Sequence, residues 1–360
     1  MDKLLLIDKV VKCVIEHNRN KELKDFSEAG YINDYNSPGW ALNMSYWDWM
    51  PGVAIYGIYR AWRHAGRIEY NQYIKEWIDR LKNKAYGLKT VNATAPLTVV
   101  LGLYEETGNE EYLTICTSIA DWIINKAPRT REGGLEHTVN EADAGFSEQI
   151  WADTLFMACI FLARLGRITR NQDYSNEAAK QLVIHHKLLK DKKTGLFYHG
   201  WNCESGNWMS GALWGRANAW IIASTVEMLE ELPEHFEGRE EVISSMNEQV
   251  KALEQFQRPN GMFGTLLDCV DSYDETSATA GIAYGIKRGI RKGYLEAISS
   301  CIYEKAEEAV IKTINDKGEV EGVSAGTPVM PSLEDYKLRP RLPILYGQGL
   351  ALLMLCESGS

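Results

Sequence analysis

The stretch GALWGRANAW, residues 211–220, places a permanent cation among large aromatic side chains. Arg216 lies between Trp214 and Trp220, and the surrounding residues are mostly glycine, alanine and leucine. Such a composition is typical of a buried helix, in which an arginine needs a specific partner. One interpretation is a ligand site, and the alternative is a packing stripe from which the Arg216 side chain extends to the surface.

The tryptophans favour a carbohydrate ligand. Six of the eleven tryptophans fall in one part of the chain, and these are Trp122, Trp151, Trp201, Trp208, Trp214 and Trp220. Pyranose rings present apolar C–H faces that stack on aromatic rings, while their hydroxyl groups need polar partners nearby. His137, Asp153 and His199 lie close to these tryptophans in the sequence and supply polar groups of that kind.

An internal repeat indicates the elements that position these residues. Glycines 134, 195, 261 and 318 recur at steps of 61, 66 and 57 residues, each before a polar loop and a small-residue, aromatic-rich run. With two earlier runs of the same character, this makes six nearly all-apolar helices. Six amphipathic segments alternate with them, near residues 4–17, 69–84, 111–126, 175–190, 240–257 and 294–314. Asn109 is the expected N-cap of the third amphipathic segment.

A helix that is apolar all round must be buried, whereas one with a single apolar stripe lies outside. The alternation therefore predicts an all-α fold, an (α/α)6 barrel in which an outer ring of helices surrounds an inner ring. We expect residues 1–360 to form one domain. An open helical solenoid is the competing interpretation, but it explains the difference between the two helix types less well.

In such a barrel the inner helices run in one direction, so their N-terminal ends and the loops before them meet at one mouth. Exposed N–H groups at helix N-termini favour anions there. The residues expected at the six entrances are Tyr46, Trp47, Asp48 and Trp49; Asn92; His137, Trp151 and Asp153; His199, Trp201, Trp208, Trp214, Arg216 and Trp220; Glu275, Thr276 and Ser277; and Tyr336, Lys337, Arg339 and Tyr346.

Composition excludes several classes of partner. The net charge of -10 argues against nucleic acid and anionic membranes, which attract basic proteins, and no stretch approaches the length of a membrane span. The seven cysteines occur singly, which predicts a reducing, cytoplasmic location. No metal-ligand spacing is apparent, His185 and His186 included, and we expect no metal or other cofactor. The composition is compatible with a monomer or a homodimer.

Several motifs resemble glycoside hydrolase family 105, the unsaturated rhamnogalacturonyl hydrolases, which are related to the family 88 unsaturated glucuronyl hydrolases. The most specific are WADTLFM at 151–157 and LWGRANAW at 213–220, supported by EHT at 136–138, GLFYHGW at 195–201 and ETSATAGIAYGI at 275–286. The resemblance covers essentially the whole chain. It implies the same barrel fold and an unusual hydrolysis of oligosaccharides left by pectin lyases.

The substrates of that family carry a terminal uronic acid with a C4=C5 double bond. A carboxylic acid protonates C4, water adds at C5, and the resulting hemiketal opens and releases the next sugar. The resemblance implies that Asp153 is this acid and then the base that accepts a proton from water. Because an aspartic acid has an ordinary pKa of about 3.9, we expect apolar neighbours to raise the pKa of Asp153.

The resemblance also implies a set of substrate-binding residues. Arg216 would hold the uronate carboxylate. Trp214 and Trp220 would form sugar-facing walls, and His137 and His199 would bind hydroxyl groups or orient Asp153. The remaining candidates are Tyr46, Trp47, Asn92 and Trp151. Asn92 is a departure, because many relatives have an aspartate there; an amide binds hydroxyl groups but cannot share a proton with Asp153.

Three alternatives remain open at the level of the sequence. Asp153 is, in the plainest interpretation, only the cap of the third inner helix. A conventional inverting glycosidase would pair Asp153 with a second carboxylate, Asp48 or Glu275, although Glu275 fits a helix cap better. A protein that binds sugars without catalysis would use the same barrel and the same aromatic residues.

Overall fold

The computed structural model describes residues 2–19, 41–137, 139 and 145–357. In chain order, the helices are α1 (Lys3–Arg19), α2 (Trp49–Ala65), α3 (Ile68–Leu81), α4 (Leu97–Thr107), α5 (Glu110–Asn125), α6 (Ile160–Thr169), α7 (Gln172–Leu189), α8 (Gly215–Glu231), α9 (Arg239–Phe256), α10 (Thr276–Arg291), α11 (Ser300–Ile311), the short α12 (Leu333–Lys337) and α13 (Leu345–Cys356). Short 3-10 turns cover Lys82–Tyr86, Asn92–Thr94 and Ala297–Ser299, and a π-helical turn, Leu155–Cys159, leads into α6.

Six of these helices form a closed inner ring. Helix α2 packs on α4, α4 on α6, α6 on α8, α8 on α10 and α10 on α13, and α13 packs back on α2. Closure requires very close approach, since a methyl group on Gly57 of α2 would lie 2.7 Å from the carbonyl oxygen of Gly349 in α13. The predicted (α/α)6 barrel is therefore confirmed.

The two helix types differ in burial as the sequence predicts. Every residue of α13 is buried, in agreement with its all-apolar run LYGQGLALLMLC. Helix α5 buries a single stripe that includes Tyr112, Cys116, Ile119 and Ile123, and the Asn109 side chain caps it by accepting a hydrogen bond from the Glu111 N–H. The spacing of apolar residues along each helix thus distinguishes the helices of the inner ring from those of the outer ring.

The repeated glycines mark tight turns between an outer helix and the next polar loop. Gly195, Gly261 and Gly318 adopt positive φ angles of 85°, 86° and 81°, in the left-handed region that glycine tolerates. In the third unit the left-handed residue is Gly133, with φ of 82°, one residue before the repeated Gly134. The turn at Gly318 is bound by a glutamine from the next inner helix, because Gln348 donates to its carbonyl oxygen at 2.9 Å.

A buried ion network connects the C-terminal halves of the inner helices. Tyr56 of α2 donates to Glu227 of α8 at 2.7 Å, and Arg60 links Glu227 to Glu357 at 3.3 and 2.9 Å. Burial alone would raise the pKa of Glu227, but Arg288 and Arg60 lower it to about 2. The charged groups therefore pair with one another at the end of the ring opposite the helix entrances.

Within the described residues, no helix combines the length and the apolar character needed to cross a membrane.

Two neighbouring histidines of the outer helix α7 are buried, and one of them joins α7 to the inner ring. His186 contacts the Thr225 hydroxyl of α8 at 2.8 Å through Nε2, and His185 contacts the Gln181 carbonyl oxygen at 2.7 Å through Nδ1. Burial lowers the pKa of His185 to about 4 and that of His186 to about 3. Both imidazoles are therefore neutral in the folded protein at neutral pH.

These histidines predict a loss of stability in mild acid. As the pH falls from about 6.5 towards 4, these histidines become protonated in the unfolded chain but stay neutral in the folded chain. The free energy of unfolding therefore decreases by up to roughly 1.4 kcal/mol per pH unit for each histidine. Urea titrations across this pH range should show that the free energy of unfolding of His186→Gln depends less steeply on pH than that of the wild type. His64→Gln, at an exposed histidine, is the control. If the free energy of unfolding depended on pH equally steeply in wild type and His186→Gln, the lowered pKa of His186 would be contradicted.

Candidate active site

A short antiparallel ladder joins the third and fourth helix entrances. Strand β1 (Gln149–Trp151) pairs with β2 (Gly200–Asn202), with Trp151 opposite Gly200. One residue further along, the Ala152 N–H donates to the His199 carbonyl oxygen at 3.0 Å. This ladder brings Asp153, at the start of the third inner helix, next to His199 from the following unit.

Asp153 and His199 form the centre of the site. The Asp153 Oδ2 lies 3.4 Å from the His199 Nε2, a separation that is long for a hydrogen bond. On its other side, the His199 Nδ1 lies 2.7 Å from the hydroxyl of Tyr336. The His199 ring packs against Trp214 with centroids 4.0 Å apart. The sequence predicts Tyr336 at the last helix entrance but indicates no catalytic or binding role for it.

His137 lines the same region. Its ring stacks on Trp151 at 5.1 Å, and its Nδ1 contacts the Thr154 hydroxyl at 2.9 Å. Burial lowers the pKa of His137 to about 4, so the ring is neutral near pH 7. The structure therefore brings four predicted residues together, namely His137, Trp151, Asp153 and His199.

The expected rise in the pKa of Asp153 is wrong for the unliganded protein. Burial does act to raise it, but the hydrogen-bonding and electrostatic effects of His199, followed by those of His137 and Arg216, lower the pKa below its ordinary value. The indole rings desolvate the carboxyl group as predicted, yet the imidazoles and the guanidinium outweigh them. Asp153 is thus ionised until a ligand changes its surroundings.

Arg216 is enclosed by protein and does not extend to the surface. It is 1% exposed, and its guanidinium lies between the rings of Trp214 and Tyr346, at 4.3 and 4.7 Å from their centroids. Nη1 donates to the hydroxyl groups of Ser277 and Ser324 at 3.2 and 2.6 Å, and Nη2 donates to the Ala325 carbonyl oxygen and the Thr327 hydroxyl, both at 3.2 Å. Nε is the one guanidinium nitrogen without a partner among the described residues.

The two other carboxylates considered from the sequence are helix caps. Glu275 accepts from the N–H groups of Ala278 and Ser324 at 2.5 and 2.8 Å and lies 3.5 Å from Arg216, so both of its oxygens are occupied. Asp48 accepts from the Trp49 N–H at 2.8 Å at the start of α2. Burial raises the pKa of Asp48 to about 6.

Trp214 and Trp220 are fully buried beneath the entrances. Trp220 packs on Phe156 with ring centroids 4.7 Å apart. Among the described residues, both indole N–H groups lack a hydrogen-bond partner, as does the nearby Trp201 N–H. An unpaired buried donor is unfavourable by roughly 1–3 kcal/mol, so a hydrogen-bond acceptor at any of these groups would be stabilising.

The residues predicted at the first two helix entrances have mainly packing contacts. Trp47 donates to the Ala93 carbonyl oxygen at 2.8 Å and stacks on Trp77 of α3 at 5.4 Å, which is a packing role. Tyr46 is partly buried beside it. Asn92 is buried at the start of a 3-10 turn that reaches the third inner helix through a hydrogen bond from Thr94 to the Met157 carbonyl oxygen, at 3.0 Å.

One group of side chains within the described residues could approach a metal ion. Donor atoms of Glu132, Glu148 and Cys203 lie within 4.8 Å of one another. Arg131 pairs with Glu148 at 3.4 Å, while burial and a hydrogen bond with Glu132 raise the pKa of Cys203 to about 12. Exposed acidic groups commonly lie this close together without an ion, so the proximity of these three side chains does not by itself indicate a metal site.

The enclosure of Arg216 predicts a large effect of Arg216→Lys on stability. Lysine keeps the charge but loses the planar fork and the stacking, so we expect the free energy of unfolding to fall by about 2–4 kcal/mol in urea titrations. The matched change Arg67→Lys, at a half-exposed ion pair with Asp8, should alter it by less than about 1 kcal/mol. Equal effects of the two substitutions would contradict this description.

Comparisons with known proteins agree with the geometry. The model of Glycosyl Hydrolase Family 88 matches residues 14–359. The chain is 36% identical over 312 residues to the unsaturated rhamnogalacturonyl hydrolase YesR of Bacillus subtilis (strain 168), covering 86% of this chain and 89% of that protein. It is 27% identical over 272 residues to an unsaturated 3S-rhamnoglycuronyl hydrolase of Alteromonas sp. (strain LOR), covering 71% and 63% of the two chains. A crystal structure of a possible member of family GH105 from Klebsiella pneumoniae superimposes with a TM-score of 0.87 at 34% identity, covering 99% and 92%.

Proposed function

The chain belongs to glycoside hydrolase family 88, and we propose that it removes the unsaturated uronic acid from the non-reducing end of oligosaccharides that a lyase has cut from rhamnogalacturonan. The resemblance to unsaturated rhamnogalacturonyl hydrolases, predicted from the motifs around Trp151 and Trp214, is confirmed. The proposed reaction is hydration of the C4=C5 double bond, with Asp153 as the general acid and then the base.

The observation that carries this proposal is the arrangement around Asp153. Its Oδ2 and the His199 Nε2 face each other across 3.4 Å without a good hydrogen bond. Three further buried donors lack partners within the part of the chain that the structure describes, namely the Nε of Arg216 and the indole N–H groups of Trp214 and Trp220. A ligand rich in oxygen atoms would satisfy these donors. An acidic sugar whose ring is flattened around its C4=C5 double bond also suits aromatic walls.

An inverting glycosidase needs a second carboxylate that can activate water, and the two candidates from the sequence fit this role poorly. Glu275 is fully buried and both oxygens are bound, so it has no capacity to activate a water molecule. Asp48 is partly accessible and stays the one alternative base among the residues that the sequence nominated. Hydration requires a single carboxyl group, which Asp153 supplies.

The proton on Asp153 is explained by the charge of the substrate. Because the pKa values of His137 and His199 are lowered, both imidazoles are neutral near pH 7 and stabilise the Asp153 carboxylate through their dipoles and not through a full positive charge. A uronate carboxylate that enters this buried site repels the ionised form and so raises the pKa of Asp153. Asp153 then donates its proton to C4, and as a carboxylate it accepts a proton from the water that adds at C5. The hemiketal opens and releases the neighbouring sugar.

We extend the proposal to the organisation and location of the chain. The closure of the ring by α13 on α2 supports one catalytic domain over residues 1–360. Burial raises the pKa of the thiols of Cys116, Cys159 and Cys356, which therefore behave as unreactive apolar fillers. This use of cysteine supports a reducing compartment, and hence the cytoplasm.

The variant Asp153→Asn tests the proposed function. Asparagine keeps the shape but cannot donate and accept the proton, so we expect the loss of ultraviolet absorbance of lyase-generated rhamnogalacturonan fragments to slow roughly 10²- to 10⁴-fold. Binding of the fragments, measured by tryptophan fluorescence, should persist.

Asp48→Asn is the matched control, because asparagine is also a good N-cap. It should retain the absorbance change. Release of reducing sugar from saturated oligosaccharides, abolished in both variants and without any absorbance change, would instead support an inverting glycosidase. Binding with no turnover of either substrate would support a sugar-binding protein.

A further inference from the structure

Tyr336 reaches the centre of the site from the last loop of the chain. It lies on α12, which begins with a capping box in which Ser332 and Asp335 bind each other's backbone N–H groups. The Tyr336 side chain is fully buried, and its hydroxyl lies 2.7 Å from the His199 Nδ1. The same hydroxyl oxygen accepts a hydrogen bond from the Met330 N–H at 3.2 Å.

These contacts determine where the hydroxyl proton goes. Because Met330 can only donate, the Tyr336 oxygen is an acceptor on that side, and its own proton is available to the His199 Nδ1. Ser210 lies nearby, but its hydroxyl makes no hydrogen bond of normal geometry within the described residues. Burial raises the pKa of Tyr336 well above its ordinary value, so the hydroxyl keeps its proton.

The tautomer of His199 follows from this donor. A neutral imidazole carries one proton, so an Nδ1 that accepts from Tyr336 leaves the proton on Nε2. Nε2 faces Asp153, where an N–H stabilises the carboxylate. The opposite tautomer would direct a lone pair at an ionised oxygen, which is repulsive.

We propose that Tyr336 is a positioning residue, which holds His199 in the tautomer that directs its Nε2 proton at the Asp153 carboxylate. The proposal rests on the proposed function of Asp153. It assigns to the last loop a control over how readily the acid gains and loses its proton, although Tyr336 itself contacts neither Asp153 nor any reacting atom.

The ionisable groups around His199 are consistent with this role. Asp153 acts on it from the third inner helix and Arg216 from α8, and His199 in turn acts to lower the pKa of His137. Arg216 opposes a positive charge on His199, and burial does the same, so the pKa of His199 is lowered. With the imidazole neutral, the choice between its two tautomers is the variable that Tyr336 controls.

Nitrogen NMR of protein labelled with ¹⁵N-histidine tests the tautomer directly and needs no substrate. The His199 signals are assigned by their disappearance in His199→Gln. We expect wild type to be protonated at Nε2 alone and Tyr336→Phe to show both tautomers. Tyr273→Phe is the matched control, since its hydroxyl binds the backbone carbonyl of Tyr336 at 3.1 Å and not His199. Protonation at Nδ1 in wild type would overturn the proposal, whether or not Tyr336→Phe folds.

Kinetics on unsaturated oligosaccharides supply the second readout. Without the Nε2 proton to stabilise the carboxylate, the pKa of Asp153 in the substrate complex rises in Tyr336→Phe, so the alkaline limb of the pH profile of kcat should move to higher pH. We expect kcat to fall by roughly ten- to a hundredfold, with KM changed by less than about threefold. Tyr273→Phe should reproduce the wild-type pH profile. An unshifted limb in Tyr336→Phe would refute the role, whereas a wild type inactive on these substrates would refute the proposed function and leave the NMR test valid.

Discussion

The buried guanidinium of Arg216 is the interaction on which the mouth of the barrel depends. It connects α8, which carries it, to Ser277 of α10, to the loop segment at Ser324 and Thr327, and to the ring of Tyr346 in α13. A buried charge is tolerated only when it is paired and hydrogen-bonded, and Glu275 supplies the opposite charge. The same loop continues into α12, so the placement of Tyr336 beside His199 depends on the segment that Arg216 holds.

The two ends of the inner ring use charge in different ways. At the C-terminal end, arginines and glutamates from several helices neutralise one another, as Arg60, Glu227 and Glu357 show. At the entrance end, Arg216 pairs with Glu275 at 3.5 Å, yet its Nε has no hydrogen-bond partner among the described residues. The proposed anion site therefore occupies one small region of a chain whose net charge is -10.

The sequence was informative wherever the signal was local or periodic. The apolar period distinguished α5 from α13, and the caps Asn109 and Glu275 followed from residue type alone. Contacts between segments that are distant in the sequence leave no local or periodic pattern from which they could be predicted. Tyr336 and His199 are 137 residues apart, and no spacing predicts that they meet. The enclosure of Arg216 and the lowered pKa of Asp153 escaped prediction for the same reason, because both depend on groups from other loops.

The central claim is that Asp153 protonates carbon C4 of an unsaturated uronic acid. The most direct test is to run the reaction in deuterium oxide with lyase-generated rhamnogalacturonan fragments and to examine the earliest products by proton NMR. Hydration predicts one solvent deuterium at C4 of the released keto acid, and Asp153→Asn should not form this product. Release of a uronic acid that keeps its double bond and its original hydrogen at C4 would contradict the account, because it would place bond cleavage at the anomeric carbon.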